Sequence, residues 1–295
     1  MNKSYTLKVY ADIINEYLGR VLPVCDFGEE VVHEAMKYSL SIGGKRIRPV
    51  LVLEFCRVCG GNIEDALPLA AALEMIHTYS LIHDDLPCMD DDDMRRGMPS
   101  CHIKYGYEYA LLAGDGLLTA AFGVIADSDF AKKNPVAAIK AVSVLSSLAG
   151  ANGMIGGQVI DLKNENRKAG IETLSKMDEL KTGALIKCAA LLGCIASGAD
   201  DEKISSAVTY AKNIGQAFQI VDDILDVTGD EKSLGKPIGS DKESGKSTYV
   251  SLLGIEKAQS LADDLTDEAV KALDIFGAEN EFLKELAYKL AKRNN

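Results

Sequence analysis

Apolar residues recur at three- and four-residue intervals through most of the chain, and strict apolar/polar alternation is almost absent. That period lines one face of a helix. It predicts helices near 5–22, 29–41, 49–60, 65–86, 108–128, 135–151, 173–195, 202–228, 248–275 and 280–293. Only 7 prolines interrupt 295 residues, which leaves helices of this length unbroken. No Pro-, Gly- or Ser-rich linker separates two complete blocks and no repeat recurs, so residues 1–295 are expected to form a single domain. The expected fold is all-α, a large helical bundle.

The breaks between helices carry the charge. Gly43-Gly44 precede Lys45-Arg46-Ile47-Arg48-Pro49; the run from Pro87 to Pro99 is acidic and then basic; Gly229 to Ser247 mixes Gly with Asp, Glu and Lys. Loops at helix ends are therefore where ligands are expected.

The first acidic run is Asp84-Asp85-Leu86-Pro87-Cys88-Met89-Asp90, followed by Asp91, Asp92 and Asp93. Ser80, His77 and Leu73 precede Asp84 by 4, 7 and 11 residues, one stripe leading into the acidic end. Carboxylates at a helix C-terminus oppose the dipole, and a hard divalent cation relieves the crowding. The second run lies in Phe218-Gln219-Ile220-Val221-Asp222-Asp223-Ile224-Leu225-Asp226. Gln219, Asp222 and Asp226 share one stripe there, beside an apolar face of Ile214, Ala217, Phe218, Val221 and Leu225. Asp222 and Asp226 are like charges at i, i+4, which repel in an isolated helix. Acidic clusters on two facing helices make an oxygen-only metal cage that suits magnesium better than zinc or iron.

The basic loop offers a second anion site. Pro49 suits the first position of a helix, so Lys45 and Arg48 are expected at a helix N-terminus, where the dipole attracts phosphate. Arg95-Arg96 and Lys181-Thr182 add further cationic groups.

Composition narrows the partners. A formal net charge of -12 argues against nucleic acid or an anionic membrane, while the local basic clusters suit small polyanions bridged by metal. At 47% hydrophobic and 26% charged, the chain can bury a sizeable core. Seven cysteines at irregular spacing without a signal peptide are expected to stay reduced. The apolar stretch from Cys188 to Ala199 falls short of a membrane span, so a cytoplasmic protein without membrane insertion is expected.

Taken in order, six motifs resemble the trans-prenyltransferase family of polyprenyl diphosphate synthases, in particular its bacterial farnesyl type. They are Gly43 to Pro49; Asp84 to Asp90 with Arg95-Arg96-Gly97; Gly156-Gly157-Gln158; Lys181-Thr182-Gly183; Phe218 to Asp226; and Gly245-Lys246-Ser247-Thr248-Tyr249. The resemblance runs from about residue 30 to 260. It implies a helical bundle of the isoprenoid synthase type with a central active-site cavity, usually a homodimer. It also implies condensation of isopentenyl diphosphate with dimethylallyl or geranyl diphosphate to farnesyl diphosphate. Three Mg2+ ions would be held by Asp84, Asp90 and Asp222, with Asp223 and Asp226 supporting. Arg95, Lys181, Thr182, Gln219, Lys236 and Lys246 would hold the allylic diphosphate, and Lys45, Arg48, His77 and Arg96 the isopentenyl diphosphate without metal. Tyr79 and Ser80 would set product length, an aromatic Tyr79 with Pro87-Cys88 fitting the fifteen-carbon type.

Other readings explain less. A geranylgeranyl synthase of the same family differs only in product length. Glu30-x-x-His33 and Glu74-x-x-His77 match the spacing of di-iron bundles, yet that reading leaves both Asp runs and the basic groups without a role. A non-catalytic partner subunit is expected to have lost one Asp run, and a terpene cyclase has no need of a second diphosphate site. His33, His83 and His102 are read as structural.

Overall fold

The computed structural model describes residues 5–22, 28–164, 167–228 and 247–292. They are helical almost throughout, as the apolar period requires. The chain divides into two compact units, Met1–Ser143 with Ile195–Ser197, and Val144–Cys194 with Gly198–Asn295.

The first unit holds α1 (Leu7–Val21), α2 (Glu30–Ser41), α3 (Ile47–Val58), α4 (Ile63–Asp84), α5 (Cys101–Tyr105), α6 (Tyr107–Ala126) and α7 (Asp129–Lys133). Helix α4 is its centre. Asn62 caps it by accepting from the Glu64 N–H at 3.2 Å. Ala70 through Ile76 are buried without a polar face, the pattern of a helix packed on all sides, and α3 and α6 flank it. Each buried Leu, Ile or Met here contributes roughly 1.5–3 kcal/mol relative to exposure. Helix α4 stops at Asp84, with Asp85 closing the last turn, two residues earlier than the apolar period predicts.

The second unit holds the C-terminal part of α8 (Pro135–Ala149), which begins in the first unit, then α9 (Met154–Asn164), α10 (Ile171–Asp178), a π-turn (Glu179–Gly183) and α11 (Ala184–Ser197, its last turn in the first unit). It continues with α12 (Asp201–Thr228), α13 (Tyr249–Leu253), α14 (Ile255–Ala272) and α15 (Glu281–Ala291). Its core gathers Ile220, Val221, Ile224 and Leu225 of α12 against Tyr249, Ala258 and Ala262. Tyr210 of α12 donates from its hydroxyl to the Leu283 carbonyl at 2.9 Å, tying the C-terminal helix to the unit.

Four predicted elements need correction. The helix expected over 173–195 is two helices around a π-turn, and the one expected over 248–275 breaks at Gly254, whose φ of 82° no ordinary residue adopts cheaply. Helix α9, which contains the Gly156-Gly157 pair, was not among the predicted helices. Pro49 occupies the third rather than the first position of α3; either place is free of an intrahelical N–H bond, so both suit proline.

Three helical stretches, Tyr107–Lys133, Pro135–Asn164 and Ile171–Ser197, are long and apolar enough to cross a membrane by length and composition. In the first, α6 ends at Ala126 before the Ser128 cap that opens α7, the second includes the turn between Ala149 and Met154, and the third contains the π-turn.

Candidate active site

In the first unit the acidic run closes on itself at the end of α4. The Asp90 N–H donates to the Asp84 carbonyl at 2.8 Å, and the Met89 and Asp91 N–H groups both donate to Leu86. Asp91 takes a left-handed φ of 54° to complete the loop. Asp84 is half-buried and Asp90 exposed, so the two ends of the DDxxxxD run reach a common edge. Asp85 points the other way. It is buried and accepts from Arg95 Nε at 2.9 Å, with a second contact from Arg95 Nη2.

A hairpin separates the two neighbouring arginines. Met94–Arg95 pairs with Met98–Pro99 through a two-residue turn, Arg96-Gly97, both at positive φ, the geometry of a tight hairpin. Arg95 faces Asp85 and Asp92, and Arg96 donates to the Gly43 carbonyl. Gly44 has a φ of 122°, a conformation that side chains rarely adopt, and a Cβ there would lie 2.6 Å from the Arg96 guanidinium.

Arg96 thereby joins Arg48 and His77. Arg48 Nη1 lies 3.3 Å from His77 Nε2. A guanidinium only donates, so Nε2 accepts and the imidazole carries its proton on Nδ1. Burial first, then Arg48 and Arg96, holds His77 well below the usual histidine range, and it is neutral at neutral pH. Burial likewise disfavours the charge on Arg48; Glu74 offsets this and Arg96 adds to it. Arg48 Nε is buried without a hydrogen-bond partner among the described residues. Two guanidinia, a neutral imidazole and an unsatisfied donor together make a site whose chemistry suits an anion. Lys45 is exposed beside it. His77 precedes Asp84 by seven residues on α4, so about 10 Å of helix separates the basic site from the acidic end.

In the second unit Lys181 and Thr182 sit in the π-turn, a feature common at functional sites. Gly157 of α9 lets that turn approach: a Cβ would lie 2.2 Å from the Lys181 backbone nitrogen. Lys181 Nζ donates to Asp161 at 2.5 Å. Asp222, Gln219 and Asp226 are half-buried on α12, and Asp223 accepts from the Tyr249 N–H at 2.6 Å, which fixes the start of α13. Asp178 is buried, and burial, opposed by a Tyr249 hydrogen bond and reinforced by Asp161, pushes its carboxyl up to about 7. Lys236 and Lys246 lie outside the described residues.

Residues 29–283 match the polyprenyl synthetase family. The chain belongs to that family. It is 43% identical to the farnesyl diphosphate synthase of Escherichia coli (strain K12) over 95% of both chains. It is 42% identical to the geranylgeranyl diphosphate synthase of Cyanophora paradoxa, over 98% of this chain and 94% of that one. The crystal structure of an FPP/GFPP synthase from Zymomonas mobilis superposes with a TM-score of 0.86 at 36% identity, covering 97% of each chain. This chain is thus a prenyl diphosphate synthase, a prenyltransferase of isoprenoid diphosphates with the all-α isoprenoid synthase fold.

Several residues of the synthase were not legible as site residues. Asp85 and Asp161 hold Arg95 and Lys181, and Asp178 and Tyr249 lie behind the π-turn; a single carboxylate in a helix gives no signal of its partner. The di-iron spacing at Glu74 and His77 has another use here, since Glu74 pairs with Arg46 and His77 with Arg48. Among the described residues no three Asp, Glu, His or Cys side chains converge to hold an ion unaided. The acidic groups come instead as small oxygen-only sets, which fit magnesium, an ion that commonly takes one or two carboxylates and completes its shell with substrate phosphate and water.

Proposed function

We propose that this synthase makes farnesyl diphosphate, adding isopentenyl diphosphate to dimethylallyl diphosphate and then to geranyl diphosphate. The observation that carries the reading is the cationic Arg48, His77 and Arg96 site, its Arg48 Nε unpartnered among the described residues, set about 10 Å along α4 from Asp84. One diphosphate site with carboxylates for metal and one without match a reaction whose two diphosphates have different fates.

In this reading Lys45, Arg48, His77 and Arg96 hold the isopentenyl diphosphate, which keeps its diphosphate throughout. Arg95, Lys181, Thr182, Gln219, Lys236 and Lys246 hold the allylic diphosphate, which leaves. Asp84 and Asp90 would hold two magnesium ions and Asp222 a third, with Asp223 and Asp226 supporting. Magnesium supplies charge neutralisation to a departing diphosphate. The allylic C–O bond ionises to a delocalised carbocation, the double bond of isopentenyl diphosphate attacks it, and a proton leaves to the released diphosphate. The chain's cationic groups stabilise the leaving oxygens, and its apolar side chains exclude water that would quench the cation.

Tyr79 supports the fifteen-carbon product. It is 5% exposed on α4, its ring meets His83 edge to face at 5.7 Å, and its hydroxyl has no partner among the described residues. A buried unpaired hydroxyl costs about 1–3 kcal/mol, so stability alone favours phenylalanine there. Ser80 donates to the His77 carbonyl at 2.9 Å one residue further on.

A homodimer is part of the proposal, supported by apolar side chains left exposed on α6 (Tyr109, Leu111, Leu112) and at the start of α8 (Val136, Ile139). A cytoplasmic location without membrane insertion is also part of the proposal, supported by the formal net charge of -12. One synthase domain is proposed for residues 1–295, because the family match runs through both units.

Incubation with labelled isopentenyl diphosphate, magnesium and either allylic starter, followed by chromatography of the dephosphorylated product, tests the reading. A fifteen-carbon alcohol is expected; a mainly twenty-carbon product would reassign the chain as a geranylgeranyl synthase, and no condensation would overturn both.

A further inference from the structure

The three cations of the Gly43–Pro49 loop have different fates. Lys45 is exposed and Arg48 meets His77, whereas the Arg46 side chain is only 3% exposed. Arg46 takes a left-handed φ of 51° immediately before α3 and turns its whole guanidinium inward. Nη1 donates to Glu74 at 2.6 Å, Nε donates to Asn15 at 3.0 Å, and Nη2 donates to the Leu40 carbonyl. These partners come from α4, α1 and the end of α2. No face of Arg46 is left for a substrate.

Glu74 is equally buried, with its side chain 2% exposed, and it stands one turn before His77 on α4. It is also the carboxylate that offsets the positive charge around Arg48 and Arg96. The pair therefore joins the loop that carries Lys45 and Arg48 to the helix that carries His77.

We propose that Arg46 and Glu74 form a positioning pair for the metal-free diphosphate site, fixing the register of the basic loop against α4 so that Arg48 and His77 meet the isopentenyl diphosphate together. Neither residue touches the substrate. The left-handed backbone at Arg46 is what turns its side chain into the core while Lys45 stays exposed and Arg48 meets His77, and the three-way fork is what holds that turn. A lysine could reach only one of the three acceptors.

This inference rests on the proposed assignment of Lys45, Arg48 and His77 to isopentenyl diphosphate, and the test separates the two. Replacing both partners together, Arg46→Met with Glu74→Leu, removes the pair without leaving a buried charge, a change that proteins often tolerate. The expected result is a folded enzyme with a KM for isopentenyl diphosphate raised at least about tenfold, and a KM for geranyl diphosphate and a kcat within about twofold of wild type. Glu74→Gln, which keeps an acceptor for Arg46, should restore most of the affinity, and Arg46→Lys should fall between. Should the double variant not fold, Arg46→Lys carries the test, with a selective rise in KM for isopentenyl diphosphate expected. Arg48→Ala is the control. If Arg48→Ala raises that KM while the pair variants leave it unchanged, or move both KM values equally, the positioning role is wrong. If Arg48→Ala itself has no selective effect, the site assignment is wrong instead.

Discussion

Asp85 and Arg95 form a buried, two-pronged ion pair directly behind the acidic loop, so neighbouring aspartates at the end of one helix have separate tasks. Asp84 stays at the loop edge with Asp90, while Asp85 anchors the hairpin that carries Arg95 and Arg96. Asp85→Ala should destabilise the fold by roughly 3 kcal/mol, the range for stripping one partner from a buried pair. It should also raise the KM for the allylic substrate. Denaturant unfolding and initial rates check both; wild-type stability would show that the pair does not anchor the hairpin.

Asp84→Ala and Asp222→Ala should each lower kcat by roughly two to three orders of magnitude while circular dichroism stays that of a helical protein. Excess chelator should abolish activity of the wild type, and added magnesium should restore it. Full turnover in chelator would remove the metal from the reading.

Gly157 packs against the π-turn with no room for a methyl group, 2.2 Å from the Lys181 nitrogen. Backbone cannot yield as a flexible side chain does, so Gly157→Ala should cost about 1–3 kcal/mol. It should also raise the allylic KM as Lys181 and Thr182 shift. A variant with unchanged stability and kinetics would show that α9 relaxes freely.

Asp178 gives the stability a pH dependence whose sign is fixed. Burial raises its carboxyl to about 7, above the unfolded value of about 3.9. Between those values the folded protein binds the extra proton, so this contribution is fully present below about pH 4 and is lost as pH rises through about 7. Tyr249, Asp161, Lys181 and Asp222 are the groups that face it. In chelator, Asp178→Asn should flatten the fall in stability between pH 5 and 8, a slope of at most about 1.4 kcal/mol per pH unit. Identical slopes in variant and wild type, measured by denaturant titration, would show that Asp178 is ionised throughout.

Tyr79→Ala should move the main product from fifteen carbons to twenty or more with condensation retained. An isoprene unit extends about 5 Å, near one helical turn, so removing the ring opens the space for one more. Loss of stability with no change in product length would make Tyr79 a packing residue only.

The helical class, the two acidic runs, the basic loop and their order were all present in the sequence, because period, charge spacing and glycine placement are local properties that need no tertiary context. Where α4 ends and where α12 carries its carboxylates followed from the same patterns within a few residues. What each charge does was decided by folding. Arg95 and Arg96 are neighbours in the chain, yet a hairpin with both turn residues at positive φ sends one to Asp85 and the other to the Gly43 carbonyl. Lys45, Arg46 and Arg48 look alike in sequence, and a left-handed backbone angle accompanies the burial of the middle one on Glu74, while Lys45 stays exposed and Arg48 meets His77. Gly157 stands inside helix α9, where the backbone of Lys181 occupies the place of a side chain. In each case the partner lies dozens of residues away or the decision rests on a single φ, and neither leaves a period in the sequence to read.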